Sequence, residues 1–456
     1  MIRHGTGGDV AARLRAVLGT PVDGLERLSG GASRETWAFR AGERPLILRR
    51  DPPGRASDFG SMQLEAAAIR AAAAAGLAVP EVVLVDDGER LGSAGMVMAR
   101  VDGETVARRI LRDDAFAEAR AALTAQLAGF MAGLHRIDSA AVPGLAEPDA
   151  LEYLEEMYAQ VEDVSPTFDT VLRWLRRHRP PRAGGRALVH GDLRLGNVIV
   201  GPEGLRAVID WELVHVGDPV EDLAWVCVKA WRFGAPLEAA GVGTVAELLD
   251  AYHAAGGESV DRATFDWWLV EKTLQWGIMC MKQAAAHLTG LDRSVELAAI
   301  GRRAAEVEWD LLELLAPQAG PWSTVRSAGP AARPPAGPAP DLYGRPTAEE
   351  LLEATQEFLA GPVTDATDGQ IRFHAKVAAN VLATVRRQLQ QRPAAEERAR
   401  LGLESLGVKD LAGLSAAIRA GDFDGREAEL HPFLWQTVHD RLAVANPRHI
   451  GTIGKG

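Results

Sequence analysis

The stretch Leu188-Val189-His190-Gly191-Asp192-Leu193-Arg194-Leu195-Gly196-Asn197 decides how this chain is read. Thirteen positions after Asn197 comes Asp210, in Val208-Ile209-Asp210-Trp211-Glu212. Between them, Val198-Ile199-Val200, the turn Gly201-Pro202-Glu203-Gly204 and Leu205 to Ile209 read as a hairpin. The layout gathers a carboxylate, an amide and a second carboxylate around one small pocket. Phosphoryl transfer from a nucleotide needs such a set. One carboxylate accepts the proton of the attacking hydroxyl, while the amide oxygen and the other carboxylate suit magnesium, which prefers hard oxygen ligands.

His-Gly-Asp-x-x-x-x-Asn followed by Ile-Asp-Trp-Glu resembles the aminoglycoside phosphotransferase (APH) family, small-molecule relatives of protein kinases. Gly191 stands where protein kinases usually carry Arg. The resemblance implies an α+β, bilobal protein-kinase-like fold, with a strand-rich N-lobe and a helical C-lobe. It makes Asp192 the catalytic base, and Asn197 and Asp210 the magnesium ligands. Arg194 stands at the offset where protein kinases place a phosphate-touching Lys. It is expected to neutralise charge on the phosphoryl oxygens, the alternative being a surface arginine beside an acidic cleft. His190 orients the loop, since a carboxylate base sits two residues away. In Gly217-Asp218-Pro219-Val220-Glu221-Asp222-Leu223-Ala224-Trp225, Asp218 reads as a helix N-cap with Pro219 at the first helical position. Asp222 is expected to buttress the catalytic loop by accepting its backbone hydrogen bonds.

Upstream, Leu28-Ser29-Gly30-Gly31-Ala32-Ser33-Arg34-Glu35-Thr36-Trp37 is a glycine-bearing turn between strands. Glycines let backbone N–H groups approach phosphate oxygens, so Gly30, Gly31 and Ser33 are candidate nucleotide contacts. The next strand, Pro45-Leu46-Ile47-Leu48-Arg49-Arg50, should carry the phosphate-anchoring cation, Lys in protein kinases. Here only Arg49 or Arg50 is on offer, and Arg49 is favoured because Arg50 begins the polar exit. Six of the fifty basic residues are lysine, so drift in composition is one explanation. The substitution also resembles the kinase-like regions fused to some acyl-CoA dehydrogenases. Arginine binds phosphate through a planar fork. Glu65, in Met62-Gln63-Leu64-Glu65-Ala66, is by resemblance the acidic partner of that cation. Met96-Val97-Met98-Ala99-Arg100-Val101 matches the hinge that meets adenine, with Met98 as contact or as core.

A net charge of −12 and a pI of about 5.5, with no basic stripe, argue against nucleic acid as a ligand. No run of about twenty apolar residues could span a bilayer, and none resembles a signal peptide. The two cysteines, Cys227 and Cys280, lack metal-binding spacing and sit among apolar neighbours, which fits a reducing cytoplasm. Gly5-Thr6-Gly7-Gly8 reads as a frayed terminus, and residues up to about 105 as a strand lobe with one helix.

Four regions are expected: an N-lobe over 1–104, a helical C-lobe over 105–318, a Pro/Ala-rich linker over 319–345 and an all-helical domain over 346–456. Helices are expected at 113–136, 151–161 and 167–177, and again from Val220, Val245, Arg262 and Ser294. Trp231, Phe233, Trp267, Trp268, Trp276, Met279 and Met281 read mostly as core, with a few left to line an acceptor pocket. In the last region Thr347 caps a helix, Glu350 takes the reciprocal position, and Gly361-Pro362 ends it. Val377, Val381, Val385 and Leu389 form a stripe on the next helix. This region resembles a helical domain of unknown function found beside phosphotransferase-like proteins. It suggests a homodimer or a protein partner.

The reading is a small-molecule kinase that uses ATP, or GTP, with Mg2+ and phosphorylates a hydroxyl. The acceptor is a hydroxyacyl-CoA, an amino alcohol or a sugar. Acidic residues are not concentrated as a polycationic aminoglycoside favours. The alternative is a nucleotide-binding pseudokinase scaffold whose helical tail recruits a partner.

Overall fold

The computed structural model describes residues 7–28, 34–52, 61–181, 186–316 and 346–450. The chain forms two compact units: residues 1–150 with 180–272, and 151–179 with 273–456.

The first unit opens with a five-stranded antiparallel sheet of order β1-β2-β3-β5-β4. Its strands are β1 (Val22–Arg27), β2 (Glu35–Ala41), β3 (Arg44–Arg50), β4 (Val82–Asp86) and β5 (Gly95–Ala99). Side chains alternate across a strand. One face collects Val22, Trp37, Phe39, Leu46, Leu48 and Val97 into a core closed by Val10 and Leu14 of helix Gly7–Leu18. Each such fully buried side chain is worth about 2 kcal/mol. This helix corrects the reading of one helix in the lobe. Gly7 and Gly8 begin it rather than fraying, because Val10, Leu14, Val17 and Leu18 recur at helical spacing and bury against the sheet. The lobe's second helix, Met62–Ala74, buries Met62, Glu65, Ala66, Ile69 and Ala72.

Past β5 the chain turns helical, with Ala107–Arg112 and Ala117–His135. Two small two-stranded sheets then carry the motif: β6 (Ala187–Val189) with β9 (His215–Gly217), and β7 (Val198–Gly201) with β8 (Gly204–Val208). The β7–β8 hairpin ties back to the hinge through Glu104 and Val200, which exchange both backbone bonds at 2.9 and 3.0 Å. Helices Val220–Trp225 and Val245–Ala254 and the start of helix Arg262–Leu288 complete the unit.

The second unit is helical. Its core joins Ala305, Trp309 and Leu312 to Leu403, Leu414, Ile418, Leu430, Phe433, Leu434, Trp435 and Val438. Thr347 and Glu350 form the expected capping box at the start of helix Ala348–Phe358. Gly361-Pro362 does not end the helical path. The chain widens into a π turn at Leu359–Val363 and continues through Thr364–Ala366. A π turn widens the backbone at Pro362 and relieves the ring's clash with the preceding turn. The next helix runs Gly369–Leu406, burying Ala375, Ala379, Leu403 and Leu406, while Val385 and Leu389 of the apolar stripe are exposed. The expected linker falls within 317–345, outside the described residues. Among the described residues, no helix is long and apolar enough to cross a membrane.

Candidate functional site

Strand alternation separates the two arginines of β3. Arg50 lies on the face of Leu46 and Leu48, where its Nε donates to Glu35 Oε2 at 2.9 Å and its Nη2 stands 2.8 Å from the same oxygen as an ion pair. Arg49 faces the other way, between Thr36 and Met96 in register. Its Nη2 donates to Asp210 Oδ1 at 2.6 Å, and Glu212 Oε2 stands 3.5 Å from it. Its Nη1 is 3.7 Å from Glu65 Oε2. The tighter partner of Glu65 is Arg34, whose guanidinium also donates from Nε to Asp51 Oδ1 at 3.0 Å. Burial pushes the Glu65 carboxyl up, against the pull of Arg49 and Arg34. Burial alone would lower Arg49, but Asp210, Glu65 and Glu212 outweigh it and hold the guanidinium charged.

The loop carrying residues 190–197 hangs between β6 and β7. Gly191 has φ +80°, and a Cβ there would stand 2.5 Å from the Leu213 backbone oxygen. An arginine at this position is therefore barred by both conformation and space. Asp222 accepts from the backbone N–H of His190 at Oδ2 and of Gly191 at Oδ1, both at 2.9 Å. His135 Nε2 lies 3.2 Å from Oδ2, and its Nδ1 is 2.9 Å from the Tyr252 hydroxyl. Burial would raise Asp222, but its bond to His135 and the nearby imidazoles lower it. His190 Nδ1 accepts from Asp192 N at 3.1 Å, while Nε2 faces Ile209 O at 3.2 Å. A neutral ring protonated on Nε2 satisfies both bonds, in keeping with burial lowering its pKa.

Asp192 is itself buried. Its Oδ1 accepts from Trp225 Nε1 at 2.8 Å and from Arg194 Nε at 2.9 Å. Its Oδ2 accepts from Asn197 Nδ2 at 2.6 Å. Desolvation raises the carboxyl, with Arg194 opposing. The Arg194 guanidinium stacks over Trp231 at 4.5 Å. Its Nη1 bonds Leu195 O at 3.3 Å, and Nη2 makes no bond among the described residues.

Asp210 adopts φ +68°, left-handed for a residue that is not glycine. Such strain costs about 1–3 kcal/mol and gathers at functional sites. Burial would raise its carboxyl, and Arg49 outweighs this to lower it. Asn197 spends its Nδ2 on Asp192, so its Oδ1 remains for a cation, as does Asp210 Oδ2 among the described residues. No group of three His, Cys, Asp or Glu residues suited to a metal occurs among the described residues. Two hard oxygen donors fit magnesium, which keeps its waters and takes phosphate oxygens rather than an all-protein cage.

The structure thus draws Asp192, Arg194 and Asn197 together through direct contacts, and Arg49, Glu65 and Asp210 through another set. His190 and Asp222 stand behind the first. Met98 is buried in β5 opposite Ile47 and Val82, and any adenine contact it makes is a proposal. Gly30, Gly31 and Ser33 lie outside the described residues. Trp231, Trp267, Trp268, Trp276 and Met281 are buried. Sequence reading assigned no role to Arg34, Glu212 or Trp225, and it read Trp231 only as core or acceptor-pocket lining. Glu212 was legible two residues from Asp210, whereas Arg34 precedes β2 and carries no pattern that marks it.

This fold and this arrangement define a kinase-type phosphotransferase. Residues 24–268, more than half of the chain, match the APH phosphotransferase enzyme family, and the chain belongs to that family. Residues 365–449 match a domain of unknown function, DUF6285. Mouse acyl-CoA dehydrogenase family member 10 is 30% identical over 234 residues, covering 47% of this chain and 21% of that one. Acyl-CoA dehydrogenase family member 11 of Gallus gallus is 30% identical over 217 residues, covering 44% and 27%. The match thus spans less than a third of either relative. Among solved structures, a Ralstonia eutropha protein described as a candidate aminoglycoside phosphotransferase has TM-score 0.54 and 22% identity, covering 66% of this chain and 98% of that one. Spectinomycin phosphotransferase, solved with ADP and spectinomycin, has TM-score 0.50 and 13% identity, covering 67% and 98%. At these identities the likeness is one of fold.

Proposed function

We propose that this phosphotransferase moves the γ-phosphoryl group of ATP to the hydroxyl of a small molecule, and that a hydroxyacyl-CoA thioester is the first acceptor class to test. The observation that carries the reading is the bonded set at Asp192: a buried carboxylate held by Asn197, Arg194 and Trp225. The acceptor class is supported by the acyl-CoA dehydrogenase relatives and by the basic and aromatic neighbours of Asp192, which do not suit a polycation.

Asp192 accepts the acceptor's hydroxyl proton as the oxygen attacks phosphorus, and its burial keeps water from competing for that contact. Arg194 reaches from the base to the phosphoryl oxygens with its remaining N–H groups, so one guanidinium sets the distance between base and phosphorus. Arg49 exchanges part of its hold on Asp210 for the donor phosphates, and Glu65, tethered by Arg34, keeps it aimed. Asn197 Oδ1 and Asp210 Oδ2 would hold Mg2+, which would supply charge neutralisation on the phosphates. Alignment and charge, rather than base strength, supply most of the rate. The glycine turn with Ser33 is proposed to cover the donor phosphates, and the tail to serve association with a second copy or a partner.

The test gives the purified full chain ATP, Mg2+ and a pool of hydroxylated metabolites including hydroxyacyl-CoAs, beside Asp192→Asn, with products read by mass spectrometry. A product gaining one phosphoryl group with the unmodified protein alone supports the reading. Nucleotide binding without turnover across the pool overturns it in favour of the scaffold.

A further inference from the structure

We propose that Trp225, backed by Trp231, is a positioning residue that holds the Asp192 carboxylate in its working orientation while Arg194 moves onto the phosphoryl group; this rests on the phosphotransfer reading. Asp192 has three side-chain donors, and they are not equivalent. Asn197 also offers an oxygen to a cation, and Arg194 is a long side chain, a quarter exposed at 24%, with terminal N–H groups to spend elsewhere. Trp225 is 1% exposed and has no second duty. Its indole Nε1 donates to Oδ1 at 2.8 Å, and its ring packs on Trp231 at 5.4 Å with planes tilted by 48°. Trp231 in turn carries the Arg194 guanidinium on its face. Base, indole, second indole and guanidinium close a ring of four contacts.

The helix Val220–Trp225 explains why the residue sits there. Asp222 and Trp225 are three positions apart and share one helical face. Asp222 grips the backbone of residues 190 and 191, and Trp225 grips the side chain of residue 192. One short helix thus fixes both the loop and the base it presents. A neutral N–H suits this task better than a second cation. It stabilises the carboxylate without drawing an anionic phosphoryl group away from Arg194. When Arg194 swings to the transition state, Oδ1 keeps one donor, so the carboxylate plane stays set.

The test uses the full chain with indole-¹⁵N tryptophan, in which Trp225→Phe assigns one of eleven indole resonances. Asp192→Asn should move that resonance strongly, since its acceptor loses its charge. For function, MgATP hydrolysis with water as acceptor is compared between the unmodified chain, Trp225→Phe and a chain with benzothienylalanine at 225. The last keeps the shape and replaces N–H by sulfur, so it answers for a Phe variant that folds poorly. Loss of one hydrogen bond to a charged group predicts a fall in kcat of about tenfold or more. KM for ATP should hold while kcat falls. A resonance indifferent to Asp192→Asn, or a folded variant keeping its kcat, overturns the proposal. The resonance is read without turnover, so failure of the kinase reading leaves this contact decided on its own.

Discussion

Asp222→Asn tests how the loop at residues 190–197 is held. In the native protein Oδ1 accepts from Gly191 N, and Oδ2 accepts from His190 N and faces His135 Nε2. An amide keeps one acceptor oxygen. Its least costly orientation leaves the oxygen to His190 and His135 and turns NH2 toward the Gly191 N–H. That N–H is then unpaired, which costs about 1–3 kcal/mol. The two remaining bonds lose the charge that strengthens them, about 1 kcal/mol more in sum. A local loss of about 2–4 kcal/mol corresponds to roughly thirty- to several-hundredfold faster opening. The chain has two compact units, so a single global unfolding free energy is the wrong observable. Amide hydrogen exchange in the peptide around 187–197 reads the effect locally. The sign with pH follows from Asp222 being lowered in the folded state. Its contribution is present above the unfolded carboxyl value of about 3.9 and is lost as pH falls through the lower folded value. The native and variant loops should therefore converge in acid and differ fully at neutral pH. Exchange in this peptide that matches the native chain at pH 7 would refute the anchoring role.

The two arginines of β3 should separate cleanly. Arg49→Met should cut phosphoryl transfer at least about a hundredfold and weaken ATP binding, with Arg49→Lys recovering part of it, because charge matters at Arg49. Arg50→Met should instead destabilise the sheet by about 1–3 kcal/mol, since it takes the nearest cation from buried Glu35 and leaves it Arg27 at 3.4 Å, while a folded fraction keeps its ATP KM. Glu271, buried beside Lys272, is pushed up to about 7 by desolvation, with Lys272 opposing. Because the folded value is raised, stability is fullest below the unfolded value and declines as pH rises through about 7. Glu271→Gln should flatten that decline in thermal unfolding measured from acid to neutral pH, and an unchanged slope would refute the assignment.

The motif was legible because its chemistry is local. Asp192, Asn197 and Asp210 lie within one hairpin, and the helix starts at Val220, Val245 and Arg262 follow from spacing and caps. Arg49 over Arg50 was also within reach of the sequence. Period-two alternation from the buried Leu46 and Leu48 puts Arg50 with them and Arg49 opposite. The partners across elements were not legible. Arg34 meets Glu65 at a separation of 31 residues, and Trp225 meets Asp192 at 33, contacts that only packing creates. The π turn at Gly361-Pro362 was missed for the opposite reason. Local propensity reads Gly-Pro as a stop, and the residues after it continue the helical path regardless.

The replacement of a strand lysine by arginine looks at first like a loss of function, and the contacts around Arg49 argue otherwise. A lysine offers one compact charge, suited to a single acidic partner. Here four carboxylates, Asp51, Glu65, Asp210 and Glu212, gather around two guanidinium groups. Each fork spans more than one of them, Arg34 joining Asp51 to Glu65 and Arg49 joining Glu65 to Asp210. The division of labour differs from a simple Lys–Glu pair: Arg34 neutralises Glu65, and that frees Arg49 to lean on Asp210. A protein with no nucleotide phosphate to hold gains nothing from keeping Asp210 in a strained left-handed conformation within reach of Arg49. Carboxylates outnumber guanidinium groups in this cluster, an imbalance that favours a divalent cation and its phosphates over an inert ion-pair network.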